Sequence, residues 1–239
     1  MGMMKGLAHL LVIGSAMAIV MQTAAGSDGA VLVFGGTSGT GLESVKLLRA
    51  AARPVTVFVR PTSNREALEP LGVSYVVGDA LNQQDVTRAF ESGEFTAVIS
   101  SLGGRRGEQR PDYIGNRHIT DAAKAAGVKR VIQVSAVGAG AESRAKPAED
   151  ADGMRKVMYE KTRGEDHLIA SGLDYTLIRP GGLRNGKATG NGIMREDYLV
   201  GSINRADVAL LIIDALGNDA TIGKAYHLAD KNRLGSFEH

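Results

Sequence analysis

The sequence predicts an α/β fold, a Rossmann-like doubly wound parallel sheet in a single domain, and three observations carry that prediction. From Ala30 onward, short apolar runs alternate with longer stretches of helical periodicity. This is the pattern of strands joined by right-handed crossovers, with helices on both faces of the sheet. The first run, Val31 to Phe34, ends in Gly35-Gly36-Thr37-Ser38-Gly39-Thr40-Gly41 and leads into a helical stretch. A glycine-rich turn carries meaning in that strand–turn–helix context. The length of 239 residues suits one such domain, which at this size buries about 70% of the surface its unfolded chain exposes.

Each element has its own signal. Val31 to Phe34 is continuously apolar, as expected of a strand buried on both faces. Gly39 to Ala52 places Leu42, Val45 and Leu48 at helical spacing, with Glu43, Lys46 and Arg49 outward. Val55 to Val59 is the second strand and runs into Arg60. Arg65 to Pro70 reads as a short helix, and Val73 to Val77 as the third strand, ending at Gly78-Asp79. Asn82 caps a helix that runs to Glu91. Phe95 to Ser100 is the fourth strand, and a helix from Asp112 to Ala126 stops at Gly127. Val128 to Val134 is the fifth strand and ends at Ser135. The polar stretch Gly138 to Gly153 reads as a loop beside the mouth of a site, followed by a helix to Ala170. Tyr175 to Ile178, Arg205 to Leu216 and Ala225 to Leu228 complete the series as strand, helix and strand. The expected strand order is 3-2-1-4-5-6, with the ligand at the carboxyl ends of the strands. Residues 30–230 thus form the domain, with a small C-terminal substrate-side region, and 231–239 a tail.

The first 26 residues are of another kind. Lys5 precedes an apolar run from Leu7 to Val20, Thr23-Ala24-Ala25 offers small residues at cleavage-site spacing, and no acid occurs before Asp28. A charged start, an apolar stretch and a small-residue site make a secretory signal peptide. Read on to Ala25 the run approaches the length that spans a bilayer, so residues 7–25 also suit a membrane anchor, an N-terminal hydrophobic helix. Lys5 then places the domain on the exported side, periplasmic or exoplasmic. If the segment is instead a buried helix of the domain, the protein is cytoplasmic.

Composition excludes several functions. With no cysteine, the chain has no disulfide, thiolate metal site or cysteine nucleophile. The net charge is +2, no basic stripe is interleaved with aromatics, and Trp is absent, so no nucleic-acid partner is expected. His118 and His167 stand at no metal-ligand spacing, and no nucleophile elbow is present to make Ser135 a hydrolase serine.

The glycine turn points to a dinucleotide. Gly35, Gly39 and Gly41, with Thr37, Ser38 and Thr40 between them, bring backbone N–H groups at a helix start against a pyrophosphate. The alternative is a glycine-rich turn without a ligand. Arg60 follows the second strand, where an acid accepts from the ribose 2′-OH of NAD and an arginine pairs with the 2′-phosphate of NADP. Arg60, with Arg65 nearby, therefore favours NADP (NADPH) over NAD, unless it is only a surface arginine. Asp79 and Ala80 are placed to border the adenine, and Ser100, Ser101, Leu102 and Gly103 to pass the ribose. Arg105, Arg106 and Arg110 beyond them suit an anionic substrate or a solvated loop.

Together these segments resemble the short-chain dehydrogenase/reductase superfamily, in its atypical NmrA-like branch. The similarity runs from Ala30 to Leu228 and is carried by Val31 to Gly41, Val57-Phe58-Val59-Arg60, Val77-Gly78-Asp79-Ala80, Ala122 to Val128, Val131 to Ser135, Ser171 to Gly182, and Arg205-Ala206-Asp207-Val208. Ser38 departs from the branch, which usually has glycine there. The resemblance implies that Ser135 positions a carbonyl or hydroxyl and that Lys161 holds the nicotinamide ribose. It also implies that Arg179-Pro180-Gly181-Gly182 turns the chain under the nicotinamide, with Gly182 allowing close backbone approach. The family tyrosine stands four residues before the lysine, and here that position is Val157. Tyr159 is the nearest phenol, but residues two apart on a helix do not share a face. It takes the acid/base role only if the helix is distorted.

Two functions follow. The first is an NAD(P)H-dependent oxidoreductase that transfers hydride to a small carbonyl or conjugated substrate without the usual tyrosine. Biliverdin and flavin reductases of this branch are similar in that respect, with the proton supplied by substrate or solvent. The second is a nucleotide-binding scaffold, assembly factor or subunit of a membrane protein complex, similar to NmrA-like regulators.

Overall fold

The structure, a computed structural model, describes residues 29–104, 109–144 and 153–235. The expected signal or anchor at residues 1–26 lies outside the described residues, as do Arg105, Arg106 and the last four positions of the tail. Among the described residues no helix is long and apolar enough to cross a membrane.

The chain runs β1 (Ala30–Phe34), α1 (Gly39–Ala50), β2 (Val55–Val59), β3 (Ser74–Val77), α2 (Gln83–Glu91), β4 (Phe95–Ser100), α3 (Ile114–Ala125) and β5 (Arg130–Val134). It continues with α4 (Ala141–Arg144), α5 (Gly153–Ala170), β6 (Asp174–Pro180), β7 (Gly182–Arg184), β8 (Gly192–Arg195), β9 (Ser202–Asn204), α6 (Arg205–Leu216) and β10 (Lys224–Asp230). The main sheet has the order β3-β2-β1-β4-β5-β6-β10-β8. Every pairing in it is parallel except that of β10 with the edge strand β8. The predicted order is present and two strands extend it. The order reverses between β1 and β4, and the crevice at that switch point is where such a sheet binds a ligand.

Alternation along the central strands builds two cores. Val31 and Val33 face α1 and α6, meeting Val45, Leu48, Val208 and Ile212. Leu32 and Phe34 face α2, α3 and α5, meeting Val86, Phe90, Ile119 and Leu168. Phe34 lies 4.8 Å from Phe58 and 6.1 Å from Phe90, ring centre to ring centre. Full burial of each large apolar side chain contributes about 1.5–3 kcal/mol. Buried strands of this kind read as unbroken apolar runs, which is why they were predictable.

The departures have local causes. The expected helix from Arg65 to Pro70 is a series of turns closed by a 3₁₀ turn at Glu69–Leu71. Pro70 fits only a first helical turn, and Gly72 at φ +60° ends it. The third strand begins at Ser74 rather than Val73, and α3 begins at Ile114 rather than Asp112. β7 and β9 form a separate parallel pair; strands of three residues are too short to show a period. Residues 233–235 pair back on residues 200–202, through Ser202 N–H to the Arg233 carbonyl at 3.0 Å and Gly235 N–H to that of Val200 at 2.9 Å.

Candidate functional site

The site is built around the turn between β1 and α1. Gly35 has φ +76°, and a Cβ there would run into the backbone of Ser101 at the end of β4. A Cβ on Gly41 would overlap the carbonyl oxygen of Gly35. The two glycines thus let the turn close on itself and on the neighbouring strand. Gly39, at φ +57°, is the first residue of α1. The first helical bond of α1 runs from Leu42 N–H to the Ser38 carbonyl at 3.2 Å, so the N–H groups of Gly39, Thr40 and Gly41 have no helical acceptor. Ser38 is exposed and its side chain caps none of them, and Thr37 is half-buried beside it. The hydroxyl of Thr40 is buried and has no partner. Open N–H donors, a bare glycine cradle and an orphaned hydroxyl fit the phosphates of a dinucleotide.

The strand ends extend this cradle. Arg60 is exposed after β2, and its backbone N–H donates to Ser63 Oγ at 3.2 Å. Arg65 stands 5.6 Å over the ring of Tyr75. Asp79 is exposed and accepts from Leu81 N–H at 2.9 Å, while its own N–H donates to Asp85 at 2.8 Å. Ala80 is buried, and its carbonyl lies 3.0 Å from His118 Nδ1. Ser100 is buried and donates to Asn116 Oδ1 at 2.6 Å, so its hydroxyl braces α3 from below. Leu102 is half-buried, and Gly103 faces open space.

At the other side of the crevice, Ser135 follows β5. It is buried, its backbone N–H donates to the Ile178 carbonyl at 2.7 Å, and its hydroxyl has no partner. Lys161 is buried on α5, and its Nζ lies 2.8 Å from Asp112 Oδ1. Arg110 Nε donates to the other oxygen of Asp112 at 2.7 Å. One fully buried carboxylate is therefore shared by two cations. Val157 lies one turn before Lys161 on the same face of a regular helix. Tyr159 projects toward Arg163, 5.9 Å away, whose guanidinium lies 3.7 Å over the ring of Tyr113.

Two features were not anticipated from sequence. Asp112 carries no motif that marks it as the partner of Lys161. The second is the pair of Arg179 and Glu165, joined at 3.1 and 2.7 Å through two parallel bonds. Arg179 also packs under Gly140, whose N–H donates to Thr162 Oγ1 at 2.9 Å. After Pro180 the tight backbone approach falls at Gly181, where a Cβ would overlap the Gly201 carbonyl oxygen. A Cβ on Gly182 would make only ordinary contact with Ser202. Gly182 is thus not the glycine that the local packing requires. No group of His, Asp or Glu among the described residues is arranged to hold a metal ion.

Known proteins match this arrangement. The family model described as NAD(P)H-binding covers residues 35–219. An uncharacterized sugar epimerase, YhfK of Bacillus subtilis, is 30% identical over 181 residues, 74% of this chain and 82% of its own. Sanguinarine reductase of Eschscholzia californica is 29% identical over 211 residues, 73% of this chain and 72% of its own. The solved structure of ChuY, an anaerobilin reductase from Escherichia coli O157:H7, has a TM-score of 0.75 and 30% identity, and covers 87% of this chain and 100% of that one. The glycine cradle, the strand order and these matches agree: the chain belongs to the NAD(P)H-binding family, in the atypical NmrA-like branch of the short-chain dehydrogenases/reductases.

Proposed function

We propose that the protein is an NADPH-dependent reductase that delivers hydride to a small carbonyl or conjugated substrate. The observation that carries this reading is the buried, unpartnered hydroxyl of Ser135 at the carboxyl end of β5, in a site that also holds a buried lysine. A buried polar group without a partner costs about 1–3 kcal/mol, and a bound acceptor oxygen would relieve that cost. The nucleotide, when bound, supplies the hydride. The open N–H groups of Gly39, Thr40 and Gly41 would hold its phosphates, and Lys161 would hold its ribose. Asp112 holds the Lys161 ammonium in place across 2.8 Å. Ser135 donates its hydrogen bond to the substrate oxygen and so favours charge developing there. With Val157 in place of a phenol, the proton comes from solvent or from the substrate itself.

Arg60 supports the preference for NADPH, because its exposed guanidinium at the end of β2 suits a 2′-phosphate. The reductases among its relatives support the reaction class. The test is single-turnover oxidation of NADPH against a panel of quinones, enones, iminium ions and tetrapyrroles. Turnover that falls at least tenfold in Ser135→Ala supports the reading. No oxidation with any acceptor, alongside tight NADPH binding, shifts the reading to a nucleotide-binding scaffold, which Val157 also suits.

A further inference from the structure

Arg205 opens α6, far along the chain from the glycine turn, yet its side chain reaches that turn. The place where a Cβ would stand on Gly39 lies 3.4 Å from Arg205 Nε and 3.5 Å from its Cδ. Gly39 is the glycine whose bare Cα lets a pyrophosphate approach the backbone. The guanidinium therefore stands at the edge of the phosphate site, beside N–H groups that lack a helical acceptor. Arg205 Nη1 donates to Asn185 Oδ1 at 2.8 Å. That partner is a neutral amide, and no carboxylate among the described residues pairs with Arg205, so its charge is left for an incoming anion.

The support behind the arginine is built. Asn185 follows β7, and the segment after it is tied to the same helix end as Arg205. Asp207 accepts from Thr189 N–H at 2.8 Å and from Gly190 N–H at 2.9 Å. Asn204 Nδ2 donates to the Lys187 carbonyl at 2.8 Å. The segment from Asn185 to Gly190 and the first turn of α6 are thus one unit, and Asn185 aims the guanidinium over Gly39.

We propose that Arg205 is a pyrophosphate clamp, reaching from α6 across the glycine turn to bind the phosphate oxygens of the dinucleotide, with Asn185 as its positioning residue. A guanidinium fork suits phosphate oxygens in both geometry and charge. The clamp rests on nucleotide binding alone, and needs neither the reductase reaction nor a preference for NADPH. It acts on a group that NADH and NADPH share, whereas Arg60 is assigned to the 2′-phosphate that only NADPH carries.

The test is a titration of the full-length chain with NADH and with NADPH, followed by nicotinamide fluorescence, which the absence of Trp leaves clear. Arg205→Gln is expected to weaken both nucleotides by the same factor, about tenfold, or 1.4 kcal/mol. It should also flatten the salt dependence of binding and leave the thermal midpoint unchanged. Arg205→Lys should recover part of the loss, and Asn185→Ala should reproduce part of it. Affinities unchanged in Arg205→Gln overturn the clamp. Tighter binding also overturns it, by making the guanidinium an obstacle, as does a loss confined to NADPH. Arg60→Gln is expected to weaken NADPH alone; if it does not, the 2′-phosphate assignment fails and the clamp stands. A wild-type chain that binds neither nucleotide overturns both.

Discussion

Glu165→Gln is expected to destabilise the protein more than any surface substitution, because it strands a buried guanidinium. The Glu165 side chain is 0% exposed and that of Arg179 10%. They meet through two parallel bonds at 3.1 and 2.7 Å. Glutamine keeps the shape of the side chain but removes the charge and one acceptor oxygen. Removing one partner of a buried ion pair costs about 3–5 kcal/mol, since the remaining charge has lost both water and its counter-ion. In a domain of this size each kcal/mol moves the thermal midpoint by about 2–4 °C, so a fall of about 6–20 °C is expected. Urea unfolding followed by far-UV circular dichroism gives the free energy directly. The double variant Glu165→Leu, Arg179→Met should cost less than the two single changes added together, because no charge is then left buried. A loss below about 1 kcal/mol in Glu165→Gln would refute the reasoning, because that is the cost of breaking a solvent-exposed pair. The consequence reaches the site: Glu165 stands one turn after Lys161 on α5, and Arg179 packs under Gly140 in the segment that follows Ser135.

Two further predictions concern the cradle and the acid limb of stability. Gly41→Ala would force a methyl group against the Gly35 carbonyl, where backbone meets backbone and neither side can rotate away; a loss of about 1–3 kcal/mol and abolished NADPH fluorescence enhancement are expected, and unaltered binding would show that the turn is not the phosphate site. Asp85 accepts from the Asp79 backbone N–H at 2.8 Å and pairs with Arg88 at 2.7 Å, and the first of these contacts leads in holding its carboxyl below the ordinary carboxylate value. A depressed folded value adds stability above the unfolded pKa of about 4 that is lost as pH falls through the folded one. Asp85→Asn should therefore lower the urea midpoint at about pH 7, and the gap from wild type should narrow toward about pH 3; a gap that stays constant would sink the assignment.

What could be read from the sequence divides along a physical line. Features made by the backbone left a local signature. Gly35, Gly39 and Gly41 show themselves because only glycine tolerates their dihedrals or their crowding. The central strands show themselves because burial on both faces demands an unbroken apolar run. Asn82 was legible as a cap, and its side chain accepts from the N–H groups of Gln84 and Asp85. Features made by pairs of distant side chains left none. Asp112 meets Lys161, and Glu165 meets Arg179, only because the sheet brings α3, α5 and β6 together. Each looks like an ordinary charged residue when the chain is read along its length. Arg205 belongs to this group, since nothing near it in sequence announces Gly39. The crowding at Gly181 belongs here too, since it comes from Gly201, twenty residues away just before β9.

The same division explains why nucleotide binding is legible here while the reaction is not. The phosphate cradle consists of N–H groups and missing side chains, so it survives wherever the glycines and the fold survive. The reacting end consists of side chains at fixed places on one helix face and one strand end, and a single change there alters the chemistry without disturbing the fold. Val157 is that change. With valine there, no phenol stands one turn before Lys161, and the buried ammonium is held by Asp112. So held, the ammonium is a donor fixed in position by a buried carboxylate. For the proposed reduction, a site with a lysine donor, an orphaned serine hydroxyl and valine in the place of the phenol would favour acceptors that take hydride readily and find their proton elsewhere. On the proposed function, conjugated and cationic substrates would meet that requirement better than simple ketones, whose alkoxide needs a proton as it forms.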